Sequence, residues 1–144
     1  MGTVLDTTVF IELERASRRR EGSSVGRLLG ERLAERIGAD DEAAIAAITA
    51  SELLHGVHRA SAEHGLRRAV FVEAILSVIP VLDFDLSAAR AHARLWADLV
   101  TAGQDIGPHD RLIAATAISH GWRVGTANPR HFNRIAGLDV VEIS

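Results

Sequence analysis

The sequence contains no cysteine, no lysine and no tyrosine, and all 16 of its basic residues are arginine. Without cysteine there are no disulfides, no thiol nucleophile and no thiolate-held zinc or iron–sulfur centre. That composition also suits a reducing cytosol. Without lysine there is no P-loop of the Walker type and no Schiff-base or pyridoxal chemistry. Aromatic residues make up only 4% of the chain, which argues against a broad base-stacking platform. The formal net charge is −3, so nucleic acid would have to be gripped through local arginine patches, a bound metal, or both. No uncharged run approaches the roughly 18 residues needed to span a membrane, and no signal layout opens the chain. A cytoplasmic protein is expected.

What is present is ordinary for a globular fold. The 144 residues, 47% hydrophobic and 24% charged, are about one domain's worth, and residues 1–144 are taken as one unit. Met1 to Asp6 is an apolar run ending abruptly in an acid. Thr7–Glu14 follows as a short helix with Val9, Phe10 and Leu13 on one side. Arg15–Gly22 reads as a polar connector, and Ser24–Ile37 as a helix with apolar residues at 25, 28, 29, 33 and 37. Gly38–Glu42 reads as a turn and Ala43–Ile48 as a buried strand. Thr49 and Glu52 have capping-box spacing, opening a helix to about His58. Further helices are expected over Ala62–Val78 and Leu86–Val100, the latter offering Leu95, Trp96, Leu99 and Val100 to the core. Another is expected from His109 to Gly121. Strands are expected at Ile79–Leu82, Trp122–Thr126 and Leu138–Ile143, with a short helical turn over Pro129–Ile135. Alternating strands and helices imply a parallel sheet of about five strands, covered on both faces as an α/β/α sandwich.

In such sheets ligands bind beyond the carboxyl ends of the strands. The polar residues found there are few. Asp6 ends the first strand, Glu52 opens the helix after the second, and Asp110 lies in the first turn after Gly107-Pro108. Thr126 and Asn128 follow the fourth strand. Each has an ordinary structural role open to it: Asp6 and Asn128 as N-caps, Glu52 in the capping box, Asp110 on its helix dipole. Together they place three carboxylates and an amide at one end of the sheet. Neighbouring carboxylates repel unless a cation joins them, and oxygen donors suit Mg²⁺ or Mn²⁺. Hydrolysis of phosphate esters is the commonest work of such a site.

Four blocks resemble, in order, the motifs of PIN-domain proteins, and most closely the VapC-type toxins of bacterial toxin–antitoxin pairs. They are Val4-Leu-Asp-Thr-Thr-Val-Phe-Ile11, Ser51-Glu-Leu-Leu-His-Gly56, Ile106-Gly-Pro-His-Asp-Arg-Leu-Ile-Ala-Ala115 and Gly125-Thr-Ala-Asn-Pro-Arg-His-Phe132. The resemblance runs over essentially the whole chain. It implies a metal-dependent endoribonuclease acting on RNA, a cognate antitoxin protein and a tendency to form homodimers. Asp6, Glu52 and Asp110 match the family's core metal-site acids. Thr8 matches a residue that supports the first of them, and Thr126 matches the hydroxyl of the fourth block. Asn128 stands where the family often has a fourth acid, which implies one resident cation, with any second arriving alongside the substrate phosphate.

No histidine is expected to serve as a dedicated base: His109 should point about 100° away from Asp110 around its helix. His55 and His58 have chelate spacing but suit an exposed helix face equally, and His131-Phe132 suits docking of the last turn. For RNA, Arg15 and Arg18 to Arg20 form the densest basic patch (Arg18, Arg19 and Arg20 being its core), while Arg111 and Arg130 flank the acids. The apolar helices at 24–37 and 49–78 would offer an antitoxin segment a groove from which a basic side chain reaches the acids. Two rival readings remain. A PIN-like fold without catalysis, serving as an RNA- or protein-binding module, is kept open by Asn128. A phosphatase of the haloacid dehalogenase type is disfavoured by Thr8, where a second Asp is needed, and by the missing lysine, which also counts against a receiver domain.

Overall fold

A computed structural model describes residues 2–20, 24–38 and 40–144. The chain begins with strand β1 (Gly2–Leu5), and helix α1 (Thr7–Arg19) follows with a single residue between them. That residue is Asp6, whose side chain accepts the backbone N–H of Thr8 and so caps the helix. Helix α1 runs five residues beyond the expected end at Glu14. The segment expected to be a connector is helical through Arg19 because Arg15 pairs with Glu12 and Arg18 with Glu14, one turn back. The last two residues of that connector, 21 and 22, lie outside the described residues, as do Met1, position 23 and position 39 of the expected turn.

Helix α2 (Val25–Arg36) starts on a Ser24 cap, and strand β2 (Glu42–Ala46) leads directly into α3 (Ala47–Arg59). Here the expected boundary is wrong by two residues. Ala47 and Ile48 are helical, and Ala46 caps α3 without a side-chain bond, so the Thr49–Glu52 capping box does not form. Thr49 is instead buried inside the helix and its hydroxyl has no hydrogen-bond partner. A run of small apolar residues suits either strand or helix, and pairing with the edge strand ends at Ala46. Helix α4 (Ala62–Val78) is followed by the two-residue edge strand β3 (Val81–Leu82), with Pro80 just outside it. Then come α5 (Leu86–Thr101), α6 (Pro108–His120), β4 (Arg123–Thr126), a 3₁₀ turn (Phe132–Arg134) and β5 (Val140–Glu142). Pro108 occupies the first turn of α6, and Gly121 ends it in the left-handed conformation (φ 67°).

The five strands are parallel, in the order β3-β2-β1-β4-β5. Alternate residues feed two cores, one on each face. Leu5, Ile45 and Ile143 join Val9, Phe10 and Leu13 of α1 together with Phe71 and Ile75 of α4. Val4, Ala46 and Val124 face Leu95 and Leu99 of α5 and Ile113 and Ala117 of α6. This is the expected α/β/α sandwich, with a five-stranded parallel sheet at its centre. Trp96 and Val100, expected in the core, are 47% and 58% exposed: Leu95 and Leu99 take the inward stripe of α5, and each of the other two lies about 100° around from the residue before it. Chain order reverses between β1 and β4, with β2 and β3 on one side and β5 on the other. That switch point opens a crevice at the carboxyl ends of β1 and β4.

Candidate metal and active site

Asp6 and Thr126 close the two strands that flank the switch point. Asp6 is only 4% exposed, and its backbone N–H donates to the Gly125 carbonyl at 2.9 Å. Its Oδ1 accepts the Thr8 hydroxyl and the Thr8 N–H, and its Oδ2 accepts the Thr126 hydroxyl at 2.9 Å. The Thr8 hydroxyl in turn accepts the N–H of Ala127, and the Thr126 hydroxyl that of Asn128, each at 3.0 Å. The carboxylate is thereby held in one orientation. Burial pushes its pKa up from an ordinary 3.8 to about 6, and the negative charge of Asp110 pushes the same way. The Thr8 and Thr126 hydrogen bonds pull it back only in part.

Gly125, whose carbonyl receives the Asp6 N–H, leaves room for the side chains of neighbouring strands. A Cβ there would lie 2.6 Å from Ile143 Cδ1 and 2.9 Å from Thr3 Cγ2.

Glu52 and Asp110 are half-buried and bracket this crevice from α3 and α6. Glu52 Oε1 accepts the Thr7 hydroxyl at 2.8 Å, and Glu52 Oε2 lies 3.3 Å from His109 Nδ1. Asp110 Oδ2 lies 3.0 Å from His131 Nδ1. Sequence reasoning passed over Thr7 and set His109 and His131 aside. Thr7 neighbours Asp6 in sequence, but nothing local places it against α3. His109 does point away from Asp110, and by doing so it reaches the acid of a different helix. His131 follows a strand end, which was the one available signal, while Phe132 beside it is buried in the core.

The other expected positions divide. The Asn128 side chain is exposed and caps nothing; the 3₁₀ turn begins after His131, which makes no side-chain cap. Arg18 and Arg19 sit in the last turn of α1, about 18 Å along the helix axis from Asp6. Arg18 pairs with Glu14 and Arg20 with Glu31, so this patch is remote from the acids and partly neutralised. Arg130 is exposed in the loop after β4. Arg111 does not flank the crevice as a free cation. It is 9% exposed and turned inward, bonded to Asp105 and to the Ile106 carbonyl. His55 and His58 lie exposed on α3.

The donors in the crevice are oxygen atoms: three carboxylates and threonine hydroxyls. A carboxylate whose pKa is raised by burial, and further by the charge of a second carboxylate, is stabilised by a hard cation, so the residues fit Mg²⁺ or Mn²⁺. Among the described residues no three of His, Asp and Glu are grouped closely enough to hold an ion by themselves. Among the described residues, no helix is long and apolar enough to cross a membrane.

Residues 3–138 match the model of the PIN domain family. Ribonuclease VapC1 of Rickettsia felis is 35% identical over 146 residues, covering 100% of this chain and 98% of that protein. The tRNA(fMet)-specific endonuclease VapC of Salmonella typhimurium is 38% identical over 96 residues, 67% of this chain and 71% of that one. Among solved structures, DNA-bound VapBC from Salmonella typhimurium superposes with a TM-score of 0.77 at 28% identity, covering 99% and 98% of the two chains. VapBC2 from Rickettsia felis, bound to a promoter DNA fragment, gives 0.79 at 25% identity with both chains fully covered. The chain belongs to the PIN-domain family and, within it, to the VapC ribonucleases of VapBC toxin–antitoxin systems.

Proposed function

We propose that this protein is a divalent-metal-dependent endoribonuclease that cuts RNA at the Asp6–Glu52–Asp110 crevice and acts as the toxin of a toxin–antitoxin pair. The observation that carries this reading is Asp6 itself: buried, held in place by three hydrogen bonds and acted on by the negative charge of Asp110. Asp6 and Asp110 would hold Mg²⁺ or Mn²⁺ together with water, and Glu52 would either join them or orient the attacking water. Such an ion supplies the positive charge that stabilises phosphate in the transition state and acidifies water.

The chain's own residues have definite tasks. Thr8 and Thr126 fix the Asp6 carboxylate, and Thr7 fixes one oxygen of Glu52. His109 and His131 steady Glu52 and Asp110 and are placed to exchange a proton with the second oxygen of the one and Oδ2 of the other. Helices α1, α3 and α6 all begin at this end of the sheet, and their N-terminal dipoles favour the negative charge of carboxylates and phosphate.

The antitoxin reading has a concrete counterpart. A cavity of about 340 Å³ opens between α1, α3 and α4, floored by Phe10, Leu53 and Phe71 and reaching Thr7 and Glu52. It differs from the expected groove in that α1 replaces α2 as a wall. A helical antitoxin segment laid there would bring a basic side chain to the acids. Action in the cytoplasm and homodimer formation complete the proposal.

The test is cleavage of a mixed cellular RNA pool with Mg²⁺, with Mn²⁺ and with chelator, beside Asp6→Asn. Discrete metal-dependent cuts, absent from the variant, are expected. No cuts under any metal would replace the enzyme with a binding module.

A further inference from the structure

Arg111 follows Asp110 in the first turn of α6, yet its side chain runs the other way. Its Nη1 donates to Asp105 Oδ1 and Oδ2 at 3.0 and 3.2 Å and to the Ile106 carbonyl at 2.8 Å. Its guanidinium carbon lies 4.7 Å from the ring centre of Trp96, on α5. Asp105 is tied from the opposite side as well, because its backbone carbonyl accepts Arg134 Nη1 at 3.0 Å. Three residues before Arg134 stands His131, which is bonded to Asp110. The contacts therefore form a closed circuit: Asp110 to His131, along the 3₁₀ turn to Arg134, across to Asp105, and back to Arg111, the residue beside Asp110.

Core packing alone does not favour this arrangement. Among the described residues Arg111 Nε is buried without a partner, and a buried guanidinium is a costly filler where Ile113 and Ala114 nearby pack as plain hydrocarbon. What arginine adds is a flat cation whose Nη1 reaches a carboxylate and a carbonyl while its guanidinium lies over an aromatic ring. Those three partners are the segment that enters α6 and the helix packed against it.

We infer that Arg111 is a positioning residue: through Asp105, Ile106 and Trp96 it fixes the turn of α6 that carries His109 and Asp110, and it acts in catalysis without touching RNA. The inference rests on the proposed cleavage reaction, and it replaces the sequence expectation that Arg111 contacts the substrate.

The test uses the full chain with Arg111→Gln, Arg111→Lys and Asp105→Asn, measuring kcat and KM on a cleaved RNA and Mn²⁺ affinity by calorimetry. Arg111→Gln and Asp105→Asn should each lower kcat and Mn²⁺ affinity by about 10- to 100-fold, the usual effect of losing a partner that orients a ligand. KM should stay within about twofold, and its salt dependence should not change. The double variant should be little worse than Arg111→Gln alone, since both break one unit. Arg111→Lys should recover part of the loss, because it keeps the ion pair and loses the fork.

A raised KM with a salt slope reduced by about one would make Arg111 a phosphate contact and overturn the inference. So would an Asp105→Asn variant with unchanged kcat and Mn²⁺ affinity. Should Arg111→Gln fail to fold, Asp105→Asn decides, since its side chain is 43% exposed. Wild-type protein that binds Mn²⁺ but cuts no RNA would defeat the cleavage reading alone, with the Mn²⁺ comparison still judging Arg111. Protein that does neither would defeat both.

Discussion

Two aspartates stand at opposite ends of the sheet and are treated differently by the fold. Asp41, just before β2, receives Arg123 Nη2 at 2.8 Å and the Gly38 N–H at 3.0 Å, while Arg123 Nε also donates to Thr3 of β1. Asp6, just after β1, receives hydroxyls and one N–H, and its nearest influential charge is another carboxylate. Both are tied into β1 and β4. Only one is neutralised. Where the protein is merely holding itself together it pairs the charge; at the switch point it leaves negative charge uncompensated, and that end of the sheet is where a cation and a phosphate have something to gain.

The sharpest way to break this contrast is at Asp6. Asp6→Asn should reduce RNA cleavage by about a thousandfold, since a metal's contribution of several kcal/mol converts at 1.36 kcal/mol per decade. Rates on a defined RNA fragment at saturating Mg²⁺ measure it. A variant retaining a tenth of wild-type activity would mean that Asp6 is an N-cap and no more.

The next effect is on stability in chelator. The folded Asp6 titrates near 6 and the unfolded group near 3.8, so between these values the folded state binds the extra proton. Stability is therefore fully present below about pH 3.8 and falls as pH rises through about 6. Two pKa units correspond to about 3 kcal/mol. Urea unfolding in chelator should show this loss for the wild type, and Asp6→Asn should flatten it and be the more stable protein at pH 7. Added Mg²⁺ should restore part of the wild-type loss. A wild-type curve flat from pH 4 to 6.5 would mean that the crevice is already neutralised.

Much of the crevice was legible because its signals are local. An apolar strand stopping at Asp6, Gly107-Pro108 before Asp110, and Thr126 at a strand end each need only a few neighbours to be read. The parallel sheet followed from the alternation of elements. What was illegible depends on chain segments far apart in sequence. The start of α3 was misplaced because residues 43 to 47, four alanines around Ile45, carry little preference, and the edge strand, not composition, ends β2. The Thr7–Glu52 bond spans 45 residues, and the His109–Glu52 contact arises only once α3 and α6 lie side by side. Arg111 was read as a surface charge because nothing in sequence shows that Trp96 and Asp105 wait for it.

At the paired end the expected effects are smaller. Arg123→Gln or Asp41→Asn should lower stability by about 1 kcal/mol, as for a partly exposed ion pair, and leave cleavage unchanged. Thermal unfolding and the same RNA assay suffice. Loss of activity in Arg123→Gln beyond its loss of stability would show that the two ends of the sheet are coupled.

The smallest effect concerns how much charge the crevice lacks. Asn128 follows Thr126 by two residues, its N–H bonded to the Thr126 hydroxyl and its side chain exposed. Replacing it with aspartate adds a negative charge without disturbing that bond. Because the side chain is exposed, water screens the new charge, and the gain should stay under one decade, or about 1.4 kcal/mol. Asn128→Asp should therefore tighten Mn²⁺ binding less than tenfold in calorimetry, with metal-free stability at pH 7 slightly lowered by the added repulsion. A second bound ion per chain would be the larger change, showing that the amide is what limits the site to a single cation. An unchanged affinity would place residue 128 outside the ion's reach and leave Asp6, Asp110 and Glu52 to set the charge alone.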